Sequence, residues 1–359
     1  MGLTSPLFFV VLIVAAVAAV AGAVLLWGRV PGPRLLRLPA RVGMIVVCQL
    51  TAVFVVMAGV NNQYGFYASW DDLLGGGSGG GSMNASAKHK APPPGPAQLT
   101  VKFDPYAQGF RKADVLGAKS GASGDVMVWT PPQYDKKEYA NTRFPVIVVL
   151  HGLPGSPRSF LRAMRLGQIM ERQITEGKAE PAILVLPTIT PKGAKAGCAD
   201  APGRGKGGTW LAQDVPDVVA HNFRTLPAPS GWAVMGISTG GYCAARLALD
   251  YPSRYVAGAA LAPDNPAEGP RSPLWLAHNT KPNVDLLVGS SVQDPESPPR
   301  FADWLGHAVQ APTTVTPMLL DTGGHNWKTW GRMFPDALTW VSSHLEAPRV
   351  VPLASPDAP

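Results

Sequence analysis

Ser238 lies in a short glycine-rich segment whose residue types suit nucleophilic catalysis. Residues 236–240 read Gly-Ile-Ser-Thr-Gly, a G-x-S-x-G pattern between an apolar run at 233–235 and a helix-like run. A serine at such a strand-to-helix turn has a strained backbone and an exposed hydroxyl, and it needs small neighbours because strand and helix nearly touch. We therefore predict that Ser238 is a nucleophile. The alternative is a glycine-rich turn with a serine that caps the helix.

His325 is the predicted base, because a serine hydroxyl is a weak nucleophile without one. It is one of seven histidines and lies at 321–327, Asp-Thr-Gly-Gly-His-Asn-Trp, between the last predicted strand and the last predicted helix. In the α/β-hydrolase fold the catalytic histidine occupies that loop and follows the serine and the acid in chain order. The remaining histidines, His151 apart, are interpreted as surface, capping or linker residues.

The predicted acid lies after the preceding strand, in residues 290–296, Ser-Ser-Val-Gln-Asp-Pro-Glu. We choose Asp294 and keep Glu296 as the alternative, because both follow the strand closely. The acid holds the imidazole in the required tautomer and stabilises the imidazolium that forms during turnover.

Two backbone N–H groups are predicted to stabilise the oxyanion. One belongs to Thr239, the residue after the nucleophile, and the other to the loop His151-Gly152-Leu153-Pro154. Because proline has no N–H, Leu153 is the expected second donor. His151 is interpreted as a residue that shapes this loop and contacts substrate.

The region after residue 98 alternates short apolar runs with helix-like segments. The predicted strands are Leu99–Phe103, Asp125–Thr130, Pro145–Leu150, Ala182–Leu186, Ala233–Gly236, Val256–Leu261, Val284–Val288 and Pro317–Leu320. The predicted helices are Ser159–Glu176, Trp210–Phe223, Gly240–Asp250, Pro299–Ala308 and Trp327–His344. Solid apolar strands alternating with helices indicate a mostly parallel sheet covered on both faces. The predicted fold is therefore an α/β hydrolase over residues 98–348.

Two uncharged apolar stretches, 6–28 and 42–61, precede this domain in a chain that is 46% hydrophobic and only 15% charged. A helix crosses a bilayer with about 20 residues, so a two-helix membrane anchor is predicted over residues 1–72. The alternative for the first stretch is a signal peptide, but no Lys or Arg precedes it. Four arginines follow the first stretch, at Arg29, Arg34, Arg37 and Arg41. Because positive loops stay in the cytoplasm, the hydrolase domain is expected outside it.

Residues 73–97 form a Gly/Ser-rich and then Pro-rich linker, interpreted as a natural tether with an engineered fusion joint as the alternative. Residues 349–359 are expected to be a disordered tail. The net charge is +7 without a basic stripe, so no nucleic-acid partner is predicted. Whether Cys198 and Cys243 form a disulfide stays open, because connectivity cannot be deduced from sequence. The oligomeric state stays open as well.

From Phe144 to Leu345 the chain resembles the putative-esterase family of α/β hydrolases, which includes S-formylglutathione hydrolases (esterase D) and the mycobacterial antigen 85 mycolyltransferases. The matching segments are His-Gly-Leu at 151–153, Gly-Thr-Trp-Leu-Ala-Gln-Asp-Val-Pro at 208–216, Gly-Ile-Ser-Thr-Gly-Gly at 236–241 and Gly-His-Asn-Trp-Lys-Thr-Trp-Gly at 324–331.

The resemblance implies the same roles for Ser238, His325, Leu153 and Thr239 as the motifs do. Mycolyltransferases use a glutamate deeper in the following helix, whereas the segment around Asp294 is more similar to the aspartate version. They also carry a cysteine pair before Thr-Trp-Leu, where this chain has only Cys198. The resemblance therefore specifies the family and not the substrate.

The leading hypothesis is a membrane-anchored extracytoplasmic serine esterase that hydrolyses a small-molecule or lipid ester without a metal or cofactor. One alternative is an acyltransferase that moves the acyl group to a sugar or lipid alcohol, and another is a non-catalytic binding protein with a hydrolase fold. Trp327 is predicted to contact substrate, and Trp275 and Trp330 are further candidates for an apolar acyl site. Residues 265–280 lie where this fold often inserts a lid.

Overall fold

The computed structural model describes residues 2–3, 5–30, 33–64, 70, 99–194, 197–264 and 269–350. The chain divides into two compact units, Met1–Gly80 and Gly81–Pro359. The predicted linker at 73–97 lies outside the described residues.

The first unit contains two long helices that pack against each other, α1 over Pro6–Leu26 and α2 over Arg34–Tyr64. Both are long and apolar enough to cross a membrane, with a mean hydropathy that reaches 3.0 in Pro6–Leu26 and 2.3 in Arg37–Asn62. The second apolar stretch was expected to begin as a helix at residue 42. The helix begins earlier, so Arg37 and Arg41 lie on α2 rather than in a loop.

The second unit is built on a nine-stranded sheet with the order β1-β2-β3-β6-β5-β9-β10-β11-β12. The strands of the described residues are β1 Asp104–Pro105, β2 Phe110–Leu116, β3 Ser123–Trp129, β4 Thr142–Arg143, β5 Val146–Leu150, β6 Ile183–Pro187, β7 Asp200–Ala201, β8 Gly205–Lys206, β9 Trp232–Ile237, β10 Ala257–Leu261, β11 Asp285–Ser291, β12 Thr314–Leu320 and β13 Arg349–Val350. Strands β4 with β13 and β7 with β8 form two small ribbons.

The sheet is mostly parallel, as predicted. Strands β6, β5, β9, β10, β11 and β12 run parallel, whereas β1, β2 and β3 are antiparallel to their neighbours. The central strand β5 shows why these segments read as solid apolar runs. Its residues Val146, Val148 and Leu150 enter one core cluster, and Ile147 and Val149 enter the other. Both faces of the sheet are therefore covered.

Helices cover the two faces. They are α3 Pro157–Ala163, α4 Leu166–Thr175, α5 Gly207–Thr209, α6 Val215–Asn222, α7 Thr239–Asp250, α8 Pro273–Asn279, α9 Arg300–Ala308 and α10 Trp327–Ser343, with a π-helical turn at Trp210–Asp214. Helices α6 to α9 bury apolar residues in the cluster with Val148, and α3, α4 and α10 do so in the cluster with Val149.

Two predicted elements differ from the structure. Leu99–Phe103 is not a strand, because the Asn222 side chain takes over its backbone hydrogen bonds: the Nδ2 group donates to the Leu99 carbonyl, and Oδ1 accepts from the Val101 N–H. The single helix expected over Ser159–Glu176 is broken into α3 and α4. The break lies at Arg165, whose φ of 52° is left-handed and cannot continue a right-handed helix.

Two other expectations concern the cysteines and the C-terminus. Cys198 and Cys243 form a disulfide, with their Cα atoms 5.6 Å apart, so the pairing that the sequence left open is present. The predicted tail begins too early, because Arg349 and Val350 pair with Arg143 and Thr142 in the β4–β13 ribbon. Residues 351–359 lie outside the described residues.

Candidate active site

Ser238 lies at the sharp turn between β9 and α7. Its backbone has φ 54° and ψ −127°, a conformation that non-glycine residues rarely adopt and that costs about 1–3 kcal/mol. A Cβ atom at Gly236 would lie 2.3 Å from the Gly240 carbonyl oxygen, and one at Gly240 would lie 2.2 Å from that of Leu150. Only glycine fits at these two positions, so the turn predicted from G-x-S-x-G is present.

The structure brings Ser238, His325 and Asp294 together in one hydrogen-bonded chain. The His325 Nε2 atom is 2.9 Å from the Ser238 hydroxyl oxygen, and its Nδ1 atom is 2.9 Å from Asp294 Oδ2. His325 comes from the loop between β12 and α10, and Asp294 from the loop after β11. In this chain the imidazole can accept the hydroxyl proton while the carboxylate orients the ring.

The two candidate acids differ in burial and contact. The Asp294 side chain is fully buried, and its Oδ1 accepts hydrogen bonds from the N–H groups of Glu296 at 3.0 Å and Ser297 at 3.1 Å. The Glu296 side chain is 65% exposed, and its carboxylate lies 3.8 Å from Nε2 of His325 rather than on Nδ1. The geometry therefore favours Asp294 over Glu296 as the partner of His325.

Burial and hydrogen bonding shift the pKa of both partners. Burial alone would raise the pKa of Asp294, but the hydrogen bond and charge of His325, with the two backbone N–H groups, outweigh it and lower that pKa. Burial would likewise lower the pKa of His325. The Asp294 carboxylate, followed by Glu296 and Asp264, outweighs burial and raises it above 6.5. The pair therefore favours an ionised Asp294 and a basic imidazole.

The loop after β5 lies directly against the serine. A Cβ atom at Gly152 would be 3.0 Å from the Ser238 Cβ and 3.4 Å from its hydroxyl oxygen, and Leu153 next to it is half-exposed. His151 is buried, and burial lowers its pKa to about 4 despite a hydrogen bond to the Gly152 carbonyl. Nδ1 lies 2.8 Å from that carbonyl, and Nε2 accepts from the Ile189 N–H at 3.3 Å. Backbone groups thus occupy both ring nitrogens of His151.

The tryptophans proposed for an acyl site have different surroundings. Trp330 is buried and packs edge-on against the His325 ring, 5.1 Å between ring centres. Trp327 is half-buried between Phe160 and Trp330, at 5.5 and 5.2 Å. Trp275 lies on α8, exposed, in an open groove whose lining includes none of the triad residues. Helix α8 lies within the candidate lid at 265–280, of which residues 265–268 lie outside the described residues.

Asp264 contacts Ser238 although the sequence predictions do not include it. Its Oδ1 accepts a hydrogen bond from the Ser238 hydroxyl at 2.9 Å, and its Oδ2 accepts from the Thr239 hydroxyl at 2.5 Å. Asp264 lies just past the end of β10, and β10 pairs in parallel with β9, the strand that carries Ser238. That position was a usable signal, because residues past the carboxyl ends of neighbouring parallel strands converge at one edge.

The matches to a protein-family model and to a curated protein differ in extent. A model of the family described as Putative esterase matches residues 119–341 of the 359-residue chain. An uncharacterized protein of Corynebacterium glutamicum is 25% identical over 132 residues, which cover 36% of this chain and 30% of that protein. The chain thus matches less than a third of the length of this relative.

Solved structures with the same fold include three esterases or serine hydrolases. A ferulic acid esterase matches with a TM-score of 0.55 and 17% identity over 66% of this chain and 97% of its own. An S-formylglutathione hydrolase from Agrobacterium tumefaciens gives 0.53 and 16% over 68% and 99%. A fluorophosphonate-binding serine hydrolase from Staphylococcus aureus gives 0.52 and 15% over 65% and 98%. At these identities the likeness concerns the fold alone.

Proposed function

The chain belongs to the putative-esterase family of α/β hydrolases, and on this premise we propose that Ser238, His325 and Asp294 are the catalytic triad of a serine esterase. Family and fold together support a carboxylic ester hydrolase. The observation that carries the triad is the continuous hydrogen-bonded chain from the Ser238 hydroxyl through His325 to Asp294, with 2.9 Å at each step.

The proposed oxyanion donors are the backbone N–H groups of Thr239 and Leu153. Thr239 is the first residue of α7, so its N–H has no acceptor within the helix. Leu153 follows Gly152, which lies against Ser238. Two N–H groups beside the nucleophile are the arrangement that stabilises a developing oxyanion. Because backbone groups occupy both ring nitrogens of His151, its proposed role is to hold this loop in place.

The proposed reaction follows from these positions. The Ser238 oxygen bonds to the ester carbonyl carbon while its proton moves to Nε2 of His325, and the carbonyl oxygen becomes an oxyanion. The carbon–oxygen bond to the alcohol then breaks, and the alcohol leaves with the proton from Nε2. Water repeats the sequence on the acyl-enzyme and releases the acid. Trp327, half-buried against Trp330, which itself packs on the His325 ring, is the proposed contact for an apolar acyl group.

We also propose that the chain is anchored in a membrane through α1 and α2, with the hydrolase unit outside the cytoplasm. Arg41 on α2 lies next to the C-terminal end of α1: its Nε–H donates to the Trp27 carbonyl at 3.2 Å, and its guanidinium lies 5.2 Å from the Trp27 ring centre. Arginine and tryptophan together are typical of a membrane interface, and positive charge there favours the cytoplasmic side. Resistance to alkaline extraction, and protease access to the hydrolase unit only in right-side-out vesicles, would support this topology.

The test of the triad uses the full chain in detergent with a p-nitrophenyl ester and a fluorophosphonate probe. We expect Ser238→Ala to lower turnover by at least about 10⁴-fold and to abolish labelling, because no other group replaces the nucleophile. Ser343→Ala, at an exposed position at the end of α10, is the control and should keep both activities. Turnover retained by folded Ser238→Ala would contradict the proposal. A wild-type protein that resists the probe would favour a non-catalytic binding protein.

A further inference from the structure

The Asp264 carboxylate contacts Ser238, and the proposed triad does not require this contact. Asp294 already holds Nδ1 of His325, whereas Asp264 contacts Ser238 itself at 2.9 Å. The Thr239 hydroxyl donates to Asp264 Oδ2 at 2.5 Å, and the Asp264 N–H donates to the Ser238 carbonyl at 3.3 Å. These bonds hold the carboxylate beside the atom at which the chemistry occurs.

The Ser238 hydroxyl carries one proton and lies next to two acceptors. When His325 is neutral, its Nδ1–H donates a hydrogen bond to Asp294 and its Nε2 is an acceptor. Nε2 then competes with Asp264 for the hydrogen bond from the Ser238 hydroxyl. Once Ser238 is acylated, its oxygen is an ester oxygen without a proton. The Asp264 carboxylate then loses the donor that Ser238 supplied, although it remains partly shielded from water.

The molecule that attacks the acyl-enzyme is in a position to replace this donor. Nε2 of His325 and Oδ1 of Asp264 each lie 2.9 Å from the same serine oxygen, so they are no further apart than twice that distance. One oxygen atom with two hydrogen bonds of about 2.8 Å spans such a gap. Water has two protons, one for each acceptor. A simple alcohol has one proton, so it leaves one acceptor unpaired, whereas a vicinal diol supplies a second hydroxyl.

We propose that Asp264 is a further catalytic residue that binds the attacking acceptor and thereby selects water and vicinal diols, such as glycerol or a sugar, over simple alcohols. The proposal rests on the proposed function of Ser238 as the acylated nucleophile. It names polyhydroxy compounds as the class of acceptor for any acyl transfer at this site.

The step balances with the groups present. The acceptor oxygen bonds to the acyl carbon as the carbonyl π bond opens to an oxyanion, and the proton on the acceptor oxygen moves to Nε2 of His325. The second proton of water, or the neighbouring hydroxyl of a diol, stays covalently bound and donates a hydrogen bond to Asp264. The carbonyl then reforms as the bond between the acyl carbon and the Ser238 oxygen breaks, and the proton on Nε2 returns to the Ser238 oxygen.

The first test uses the unmodified full chain in detergent. The acyl-enzyme is formed from a p-nitrophenyl ester in the presence of equal concentrations of propan-1-ol and propane-1,2-diol, and the acid and both esters are quantified by chromatography. We expect the diol ester to exceed the propyl ester by about tenfold, because a hydrogen bond to a charged group is gained. Equal amounts of the two esters would overturn the proposal.

The second test compares variants in the same assay. Asp264→Ala should raise the ratio of propyl ester to acid by about tenfold, and Asp264→Asn, which keeps an oxygen acceptor, by less. Asp303→Ala removes an exposed aspartate from α9 and should leave the ratio unchanged. If Asp264→Ala does not fold, Asp264→Asn decides. A ratio unchanged in a folded Asp264 variant would overturn the proposal.

The burst of p-nitrophenol separates this proposal from the triad proposal. Suppose that the wild-type protein releases one equivalent of p-nitrophenol per Ser238 and that the ratio of propyl ester to acid is unchanged in a folded Asp264 variant. These two results together would reject the role of Asp264 and leave the triad proposal standing. Absence of any acylation at Ser238 in the wild-type protein would reject the triad, and the role of Asp264 with it.

Discussion

Asp264 and Asp294 occupy equivalent places in two neighbouring loops, yet their surroundings differ. Asp264 lies three residues past the end of β10, and Asp294 three residues past the end of β11, two strands that pair in parallel. The Asp294 side chain is fully buried, and two backbone N–H groups and His325 donate to it. Asp264 is half-buried and accepts from the hydroxyl groups of Ser238 and Thr239.

The difference lies in whether the partners change during turnover. In the proposed reaction the backbone N–H groups on Asp294 keep their hydrogen bonds throughout, so this carboxylate would be a fixed negative charge for the imidazolium. In the proposed reaction the Ser238 hydroxyl loses its proton when the acyl-enzyme forms, so Asp264 would lose and regain a donor in each cycle. The loop after β11 would thus supply a constant charge, and the loop after β10 an acceptor whose donor changes during the reaction.

The largest expected effect comes from removing the fixed charge. Asp294→Asn should lower kcat by about 10⁴-fold, because the imidazole loses the group that sets its tautomer and stabilises its cation. Asp264→Asn should lower kcat by no more than about tenfold, because the triad remains complete. Steady-state hydrolysis of a p-nitrophenyl ester measures both values.

Glu296→Gln is the matched control for that ranking, since the side chain is exposed and lies 3.8 Å from Nε2 of His325. It should stay within about twofold of wild type, as exposed charge pairs contribute little. A larger loss in Glu296→Gln than in Asp294→Asn would move the triad acid to Glu296. Similar losses in the Asp264 and Asp294 variants would remove the distinction between the two loops.

The parts of the fold that the sequence predicted are those with strong local signals, which are continuous apolar runs and glycine-rich turns. Strands β5 and β9 are solid apolar runs buried on both faces, and the glycines around Ser238 indicated the turn. Strand β2 was missed because it is antiparallel and only partly buried, so Phe-Arg-Lys-Ala-Asp-Val-Leu has no continuous apolar run. The break at Arg165 was missed because nothing in an arginine signals a left-handed backbone.

The grouping of the three candidate residues was predictable because chain order carries that information. Ser238, Asp294 and His325 follow one another in the order that this fold requires, and each lies just past a strand. Asp264 carries no motif of its own, and its signal was its position just past the end of β10, beside the strand that carries Ser238. The disulfide between Cys198 and Cys243 could not be predicted, since a separation of 45 residues along the chain does not specify which cysteines pair.

The pH dependence of Ser238 acylation should show a smaller effect of the same two aspartates. The base must be neutral, so acylation rises with pH through the pKa of His325, which the carboxylates of Asp294, Glu296 and Asp264 raise above 6.5 against the effect of burial. Removing a negative charge lowers that pKa. The midpoint should therefore shift to lower pH in Asp264→Asn, and further in Asp294→Asn. Rates of fluorophosphonate labelling across the acid limb measure it, and an unchanged midpoint in Asp264→Asn would place its charge away from His325.

The smallest effect is expected at Thr239, whose hydroxyl donates to Asp264 at 2.5 Å while its backbone N–H is the proposed oxyanion donor. Thr239→Val removes the hydroxyl and keeps the N–H and the shape of the side chain. Asp264 then loses the bond that fixes its orientation, and the ratio of propyl ester to acid should rise about threefold, in the direction of Asp264→Ala. Thr339→Val removes a hydroxyl on α10 that bonds to Gln173, and should leave this ratio unchanged. A fall in kcat without a change in the ratio of propyl ester to acid would mean that the substitution disturbs the proposed oxyanion donor alone. Asp264 would then bind the acceptor without the hydrogen bond from Thr239.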